Sequence, residues 1–253
     1  MSNLSRRNFN RSLLHSLLTV SLVETLSAHT LLAKPVHFAV SNWLADVQEA
    51  SSAMKKRQCS QREWQSKIAD IFAHVEQKDL LKAIDFDRLS RKLKMVGSHE
   101  GVIETNPIHT GLPRELSFST FIYGMKKGAS IPPHCHRNMT SMHMPIGGAM
   151  HGWHFDRIAD EAAHLIVQPT MDRALQIGEV TTISDEKDNV HWFQPTDEVA
   201  YTFNIGVYEI DSSQKFGGRQ FYLDAAHGEK IGNGKLRVKK LKAEEAYQIY
   251  GNV

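Results

Sequence analysis

The chain has 253 residues, of which 41% are apolar, and it carries 30 basic against 28 acidic side chains, 14 histidines and 2 cysteines. That length and composition give room for one well-buried core and exclude a collagen, a coiled coil, a long disordered chain and a polytopic membrane protein. Two cysteines, Cys59 and Cys135, are too few for a disulfide framework or a four-thiolate zinc site and leave one mutual bridge open. The formal charge of +2 sits in the first 33 residues, where Arg6, Arg7, Arg11 and Glu24 lie; without them the chain carries 27 charges of each sign. A neutral body lacks the concentrated cations that duplex binding needs, so no nucleic acid partner is expected. The one dense basic cluster, Lys235 to Lys242, reads most simply as a solvated strand and helix face.

In chain order, the first element is Ser5-Arg6-Arg7-Asn8-Phe9 followed by the leucine-rich run Leu13–Val23 and small residues near Ala28 and Ala33. It resembles a bacterial twin-arginine export signal over residues 1–33. The run is too polar, with His15, Glu24 and His29, for a stable span of about 20 residues. The resemblance implies export by the twin-arginine machinery to the periplasm, with membrane contact only during export unless the leader is retained as an anchor. Residues 41–97 form a helical extension: Trp43, Leu44, Val47, then Trp64, Ile68, Ile71, Phe72 and Val75, then Leu80, Leu81, Ile84, Leu89 and Leu93 recur at three- and four-residue spacing. This predicts two or three short helices, with Asp79 as a cap and Gly97 as the terminator.

From residue 100 the texture turns to short runs of Val, Ile, Thr and aromatics punctuated by Gly, Pro, Asn and Asp. Strands are predicted at Leu116–Tyr123, Ser141–Ile146, Met150–Asp156, Ala174–Ser184, His191–Pro195, Ala200–Ile210 and Gln220–Asp224. Such spacing predicts a mainly-β sandwich or small barrel over 100–225 and leaves no room for βαβ crossovers, with residues 226–253 as a tail packed on it. No phosphate-cradling glycine motif is present.

Histidine is the unusual count. His134, His136, His143, His151, His154 and His164 are clustered, and His191 follows. A strand places His134 and His136 on one face with Cys135 on the other, so two imidazoles enter one cavity. Neutral imidazole is a good ligand for divalent metals, and a metal resolves the crowding. His191, at the start of an apolar run, is the best third ligand. By the same parity His143 follows Met139 and Ser141, whereas His151 and His154 face opposite ways. Met139, Met142, Met144 and Met150 are read as cavity fillers before soft copper ligands.

The segment Gly128 to His136, a glycine and five residues before His-Cys-His, looks like the first cupin motif. Over Phe118–Asp156, Asn189-Val190-His191 and Gly218-Arg219-Gln220-Phe221-Tyr222, the chain is similar to the thiol dioxygenases that include cysteamine dioxygenases and plant cysteine oxidases. That resemblance implies a jelly-roll-like, cupin-type small β-barrel with an N-terminal helical extension. It also implies Fe(II) held by His134, His136 and His191, and a small thiol or an N-terminal-Cys peptide oxidised by O2 to a sulfinic acid. Three neutral ligands leave open positions on one face of the metal for both reactants. His143, His154, Asn204, Tyr208, Arg219 and Tyr222 are expected around the metal or substrate. Several positions depart from the pattern. Thr140 and Ser141 replace the usual cupin glutamate, the Pro and Gly of the second motif are missing between Gly178 and His191, Asn204 stands for an aspartate, and Cys135 and Arg137 change the usual run around the paired histidines. The alternative function is a cupin that binds metal or a small ligand as a sensor or carrier, or a cupin lyase or other dioxygenase.

Overall fold

The computed structural model describes residues 35–105, 107, 111–214 and 218–251. The expected leader over 1–33 lies outside the described residues. The chain divides into two compact units, residues 1–39 and 40–253. Of the first only the helical residues 35–39 are described, and no described helix is long and apolar enough to cross a membrane.

The helical stretch holds four helices: α1 (Pro35–Lys55), α2 (Gln61–Ala73), α3 (Gln77–Ala83) and α4 (Phe86–Lys92). In α1 the stripe Trp43, Leu44, Val47, Ala50 and Met54 is buried, as its spacing demands. A reciprocal capping box starts α2, with Glu63 N–H donating to Ser60 Oγ at 3.2 Å and Ser60 N–H to Glu63 Oε2 at 2.7 Å. The helix buries Trp64, Gln65, Ile68 and Phe72, and the Trp64 indole donates to Ser51 Oγ of α1 at 3.1 Å. Two expected boundaries are corrected. Glu76, not Asp79, is the N-cap of α3, and Asp79 sits in the first turn, where a carboxylate still favours the helix dipole. Helix α4 already stops at Lys92, so Gly97, with φ +59°, serves a turn beyond it.

Twelve strands follow among the described residues: β1 (Gly101–Thr105), β2 (Ser119–Lys126), β3 (Ile131–His136), β4 (Met139–Gly147), β5 (Met150–Asp160), β6 (His164–Leu175), β7 (Thr181–Ile183), β8 (Val190–Pro195), β9 (Val199–Tyr208), β10 (Arg219–Leu223), β11 (Glu229–Lys230) and β12 (Leu236–Leu241), before helix α5 (Ala243–Tyr250). They form two sheets, ordered β1-β2-β9-β4-β7 and β10-β3-β8-β5-β6-β12-β11. A mainly-β double sheet with helices N-terminal to it agrees with the expected class. In the second, β10 also pairs with β12 through Tyr222–Leu241 and Leu223–Lys240, so that sheet curls back on itself around a core of Cys135, Phe155, Leu165, Val167, Val190, Leu223 and Val238.

The predicted strand Ala174–Ser184 is two strands. A turn intervenes, with Gly178 at φ +84° and its N–H donating to Pro145 O at 2.8 Å. Strand β6 therefore ends in one sheet and β7 begins in the other. The basic C-terminal run is not a free patch. Strand β12 carries it within the second sheet, and Arg237 pairs with Glu161 at 2.8 Å and Glu229 at 3.7 Å, while Lys240 pairs with Asp160.

The five-stranded sheet is covered on both faces. Phe203 of β9 packs against Trp43 of α1 and Phe72 of α2, each with centroids 6.1 Å away, while its strand neighbours Asn204, Gly206 and Tyr208 line a cavity. Gln65 of α2 donates to Thr182 Oγ1 at 3.2 Å and accepts from Ser184 Oγ at 2.9 Å, holding the helix to the β7 edge. Burial on both faces explains why β4 is buried at every position but its last.

Candidate metal centre

Strand register assembles the site. His134 of β3 lies directly opposite His191 of β8, which in turn lies opposite His154 of β5. Residues opposite each other in adjacent strands point the same way, so this register alone sets the three side chains in one row. His136 joins them by strand alternation, and Cys135 points the other way into the core of the curled sheet. One ring nitrogen from each of His134, His136 and His191 lies within 4.8 Å of the others, all three residues being buried. Ring centroids are 4.6 Å apart for His134 and His136, 4.2 Å for His134 and His191, and 5.2 Å for His136 and His191.

Hydrogen bonds orient two of these rings. Nδ1 of His134 meets Pro132 O at 2.8 Å and Nδ1 of His136 meets Gly218 O at 2.7 Å. A carbonyl can only accept, so each Nδ1 carries the proton and each Nε2 is left as a bare lone pair, the tautomer metal ligands need. His191 has no such partner at Nδ1, and packing holds its ring between His134, His143 at 4.8 Å and Phe193 at 5.5 Å. Three convergent imidazoles, two of them with fixed bare nitrogens and all drawn from rigid strands, fit a divalent metal. The cysteines play no part in it: both are free, and burial pushes the Cys135 thiol up to about 11.

Electrostatics favour the neutral rings. Burial lowers the pKa of His134, His143 and His191 well below the ordinary imidazole value, that of His136 to about 4 and that of His154 to about 3. For His134 the Arg219 guanidinium adds to the effect, and for His191 the neighbouring rings do. An unfolded chain takes up protons at these histidines below about pH 6.5 while the native chain refuses them. Metal-free protein is therefore expected to hold its full stability above about pH 6.5. As the pH falls it loses about 1.4 kcal/mol per pH unit for each ring that stays neutral, until the folded values are reached. Urea midpoints measured from pH 8 to 4 check this, and a flat profile contradicts it.

A cavity of about 180 Å³ opens in front of the triad. Its wall includes His134, His136 and His191 on one sheet and Ser141, His143, Asn204 and Tyr208 on the other, with Phe121 and Tyr123 from β2 and Arg219 from β10. Of the six residues expected around metal or substrate, His143, Asn204, Tyr208 and Arg219 line it. His154 lies behind His191, centroids 6.3 Å apart, and Tyr222 packs beside His134 at 6.0 Å while accepting from Arg219 at 3.2 Å. Burial, with Tyr123 and Glu104 nearby, raises the Tyr208 phenol and keeps it protonated. Gly206 makes room for that ring, since an added Cβ would fall on its phenol. By contrast, His151 pairs with Asp172 and His227 with Asp224, both at 2.7 Å on the surface.

Arg219 is no surface ion pair. It is bound to Glu100, whose side chain is 8% exposed, and donates to Tyr247 Oη of α5 at 2.8 Å, whose hydroxyl donates to Glu100 Oε2 at 2.7 Å. Burial lowers the Arg219 pKa, but Glu100 and the two tyrosines outweigh it and the net shift is upward. Sequence reasoning missed Glu100, Tyr123 and Tyr247. Only Tyr247 had a signal, its spacing to Ala246 and Tyr250 on the buried face of α5.

No protein-family model matches the chain, and no curated protein sequence matches it. Solved structures that it resembles in part include the cupin domain of Schizosaccharomyces pombe Cnp3, at 10% identity and TM-score 0.31 over 45% of this chain and 66% of that one. An oxalate oxidase matches at 19% identity and TM-score 0.33 over 45% and 53%, and procruciferin, the 11S globulin of Brassica napus, at 13% and 0.32 over 44% and 26%. The chain thus spans between 26% and 66% of the length of those structures. These likenesses are slight and assign neither a family nor an activity.

Proposed function

We propose that the chain is a metal-dependent cupin-type oxidoreductase, and that its reaction is the dioxygenation of a small thiol, RSH + O2 giving RSO2H, at Fe(II) held by His134, His136 and His191. The observation that carries the reading is the trio of buried, uncharged imidazoles around a cavity, with no carboxylate ligand beside them among the described residues. The His-Cys-His motif after Gly128 and the resemblance stated above supply the choice of iron and thiol. Bound there, Fe(II) would supply the redox chemistry and bring sulfur and dioxygen to one centre. The protein's own contribution is positioning and exclusion. Pro132 O and Gly218 O hold the two ligand rings in their tautomers. Phe121, Ile131 and Met139 give the cavity apolar walls that limit water, and Tyr208, whose phenol stays protonated, lines the same space. A volume of about 180 Å³, about six waters of liquid, suits a small thiol better than an enclosed peptide.

The twin-arginine resemblance supports work in the periplasm after export, and a fusion of residues 1–33 to a reporter tests that address. A second reading is a cupin that binds metal or ligand without this reaction, or one with lyase or other oxygenase chemistry. It is favoured by the lack, among the described residues, of any carboxylate lining the cavity to hold an aminothiol's ammonium. Anaerobic iron loading followed by a panel of small thiols, with O2 uptake and sulfinate measured together, separates the two. One-to-one O2 and sulfinate supports the dioxygenase, and no uptake with any thiol by iron-replete protein overturns it.

A further inference from the structure

The wall of the cavity opposite the triad carries polar atoms that no described residue satisfies. His143 of β4 and Asn204 of β9 are directly opposed in the register, and both line the cavity. They are 5% and 6% exposed. Ser141 Oγ meets His143 Nε2 at 3.2 Å, which leaves His143 Nδ1 without a partner, and Asn204 Oδ1 has none either. Burying a polar group unpaired is costly, and a native structure that keeps two on opposed residues beside a cavity offers them to a ligand. The metal does not use them, since His143 stands outside the three-nitrogen cluster.

The chemistry of the pair selects its ligand. Asn204 Oδ1 accepts a hydrogen bond. His143, when Nε2 accepts from the Ser141 hydroxyl, donates from Nδ1. A primary amide presents one donor and one acceptor side by side and answers both. A carboxylate has no donor for Asn204, and an ammonium has no acceptor for His143. Neither of those charged groups meets an uncompensated opposite charge among the described residues, because Arg219 is already paired with Glu100 and no described acidic side chain lines the cavity. An unpaired charge in a buried site is the costlier mistake.

We propose that His143 and Asn204 form a subsite for a neutral amide, so that the substrate of this centre is a small thiol bearing an amide rather than an amino thiol or a thiol acid. The inference rests on the thiol reading for the substrate's other end, while the amide subsite stands apart from it. The test uses zinc-loaded protein, which takes a thiol as ligand without oxidising it. Calorimetry compares 3-mercaptopropionamide, 3-mercaptopropionate and cysteamine. The amide is expected to bind at least about tenfold more tightly than either charged thiol, the cost of one unmatched buried hydrogen bond. Asn204→Leu should remove that preference, weakening the amide about tenfold with little change for the other two. Asn204→Asp, nearly isosteric, should shift the preference to cysteamine. Equal affinities in the unaltered protein, or an amide preference that survives both substitutions, overturns the subsite. An amide preference in zinc-loaded protein with no thiol oxidised by iron-loaded protein leaves the subsite standing and overturns the dioxygenase reading.

Discussion

Alanine at His134, His136 or His191 is expected to abolish stoichiometric metal binding and, with it, thiol oxidation. Loss of a residue that merely orients a metal ligand typically weakens binding by 10–100-fold, so loss of one ligand from a set of three should exceed about 100-fold. Among the described residues no fourth ligand joins the cluster, so no described neighbour compensates. Metal should also raise the melting temperature of the unaltered chain, because an ion that binds only the native state stabilises it by about 2.7 kcal/mol at a hundredfold excess over Kd. That increment should vanish in each variant, whereas the metal-free variants, relieved of one crowded imidazole, should still fold. Metal content by mass spectrometry and paired melts with and without Fe(II) check both. A His191→Ala protein with full metal content and an unchanged metal-dependent shift would remove His191 from the ligand set. His154→Ala serves as the contrast: its ring lies 6.3 Å behind His191 and outside the cluster, so metal content should persist.

The difference between His191 and His154 marks how far a sequence can be read here. Alternation within one strand is local, so the shared face of His134 and His136 was legible from their spacing alone, as was the opposite orientation of Cys135. That β8 would set His191 directly opposite His134 depends on pairing across more than fifty residues. Its place at the start of an apolar run and a resemblance singled out His191, but neither gives the register. The helical stripes of α1 and α2 were legible because one face is buried and the other wet. Strand β4 was harder, because both its faces are covered and alternation disappears. The break between β6 and β7 was hidden for another reason: Gly178 turns the chain from one sheet to the other, and an apolar run on either side of a turn reads as one strand. Glu100 was invisible altogether. A single glutamate before a strand carries no pattern, and its role exists only because β10 and α5 bring Arg219 and Tyr247 to it.

That buried charge cluster yields the second large effect. Arg219→Met should destabilise the protein by about 3–5 kcal/mol, because it leaves Glu100 buried without its cation. The Tyr247 hydroxyl alone cannot balance a carboxylate only 8% exposed. Replacing Glu100 by Gln in the same chain removes the stranded charge, so the double variant should recover a large part of the loss, and the two substitutions should be strongly non-additive. A surface ion pair would behave otherwise, costing about 0–1 kcal/mol with near-additive changes. Chemical denaturation of the four proteins distinguishes the cases. The same bonds tie α5 to the cavity wall: Arg219 lines the cavity, and Tyr247 reaches it from α5. Loss of Arg219 should thus speed amide hydrogen exchange in α5 before the rest of the fold responds. Exchange in α2 should rise less than in α5, because that helix is held instead by Trp64 to Ser51 and by Gln65 to the β7 edge. Faster exchange in both helices alike would mean that Arg219 acts on global stability alone and that the cluster is no local clasp for the C-terminal helix.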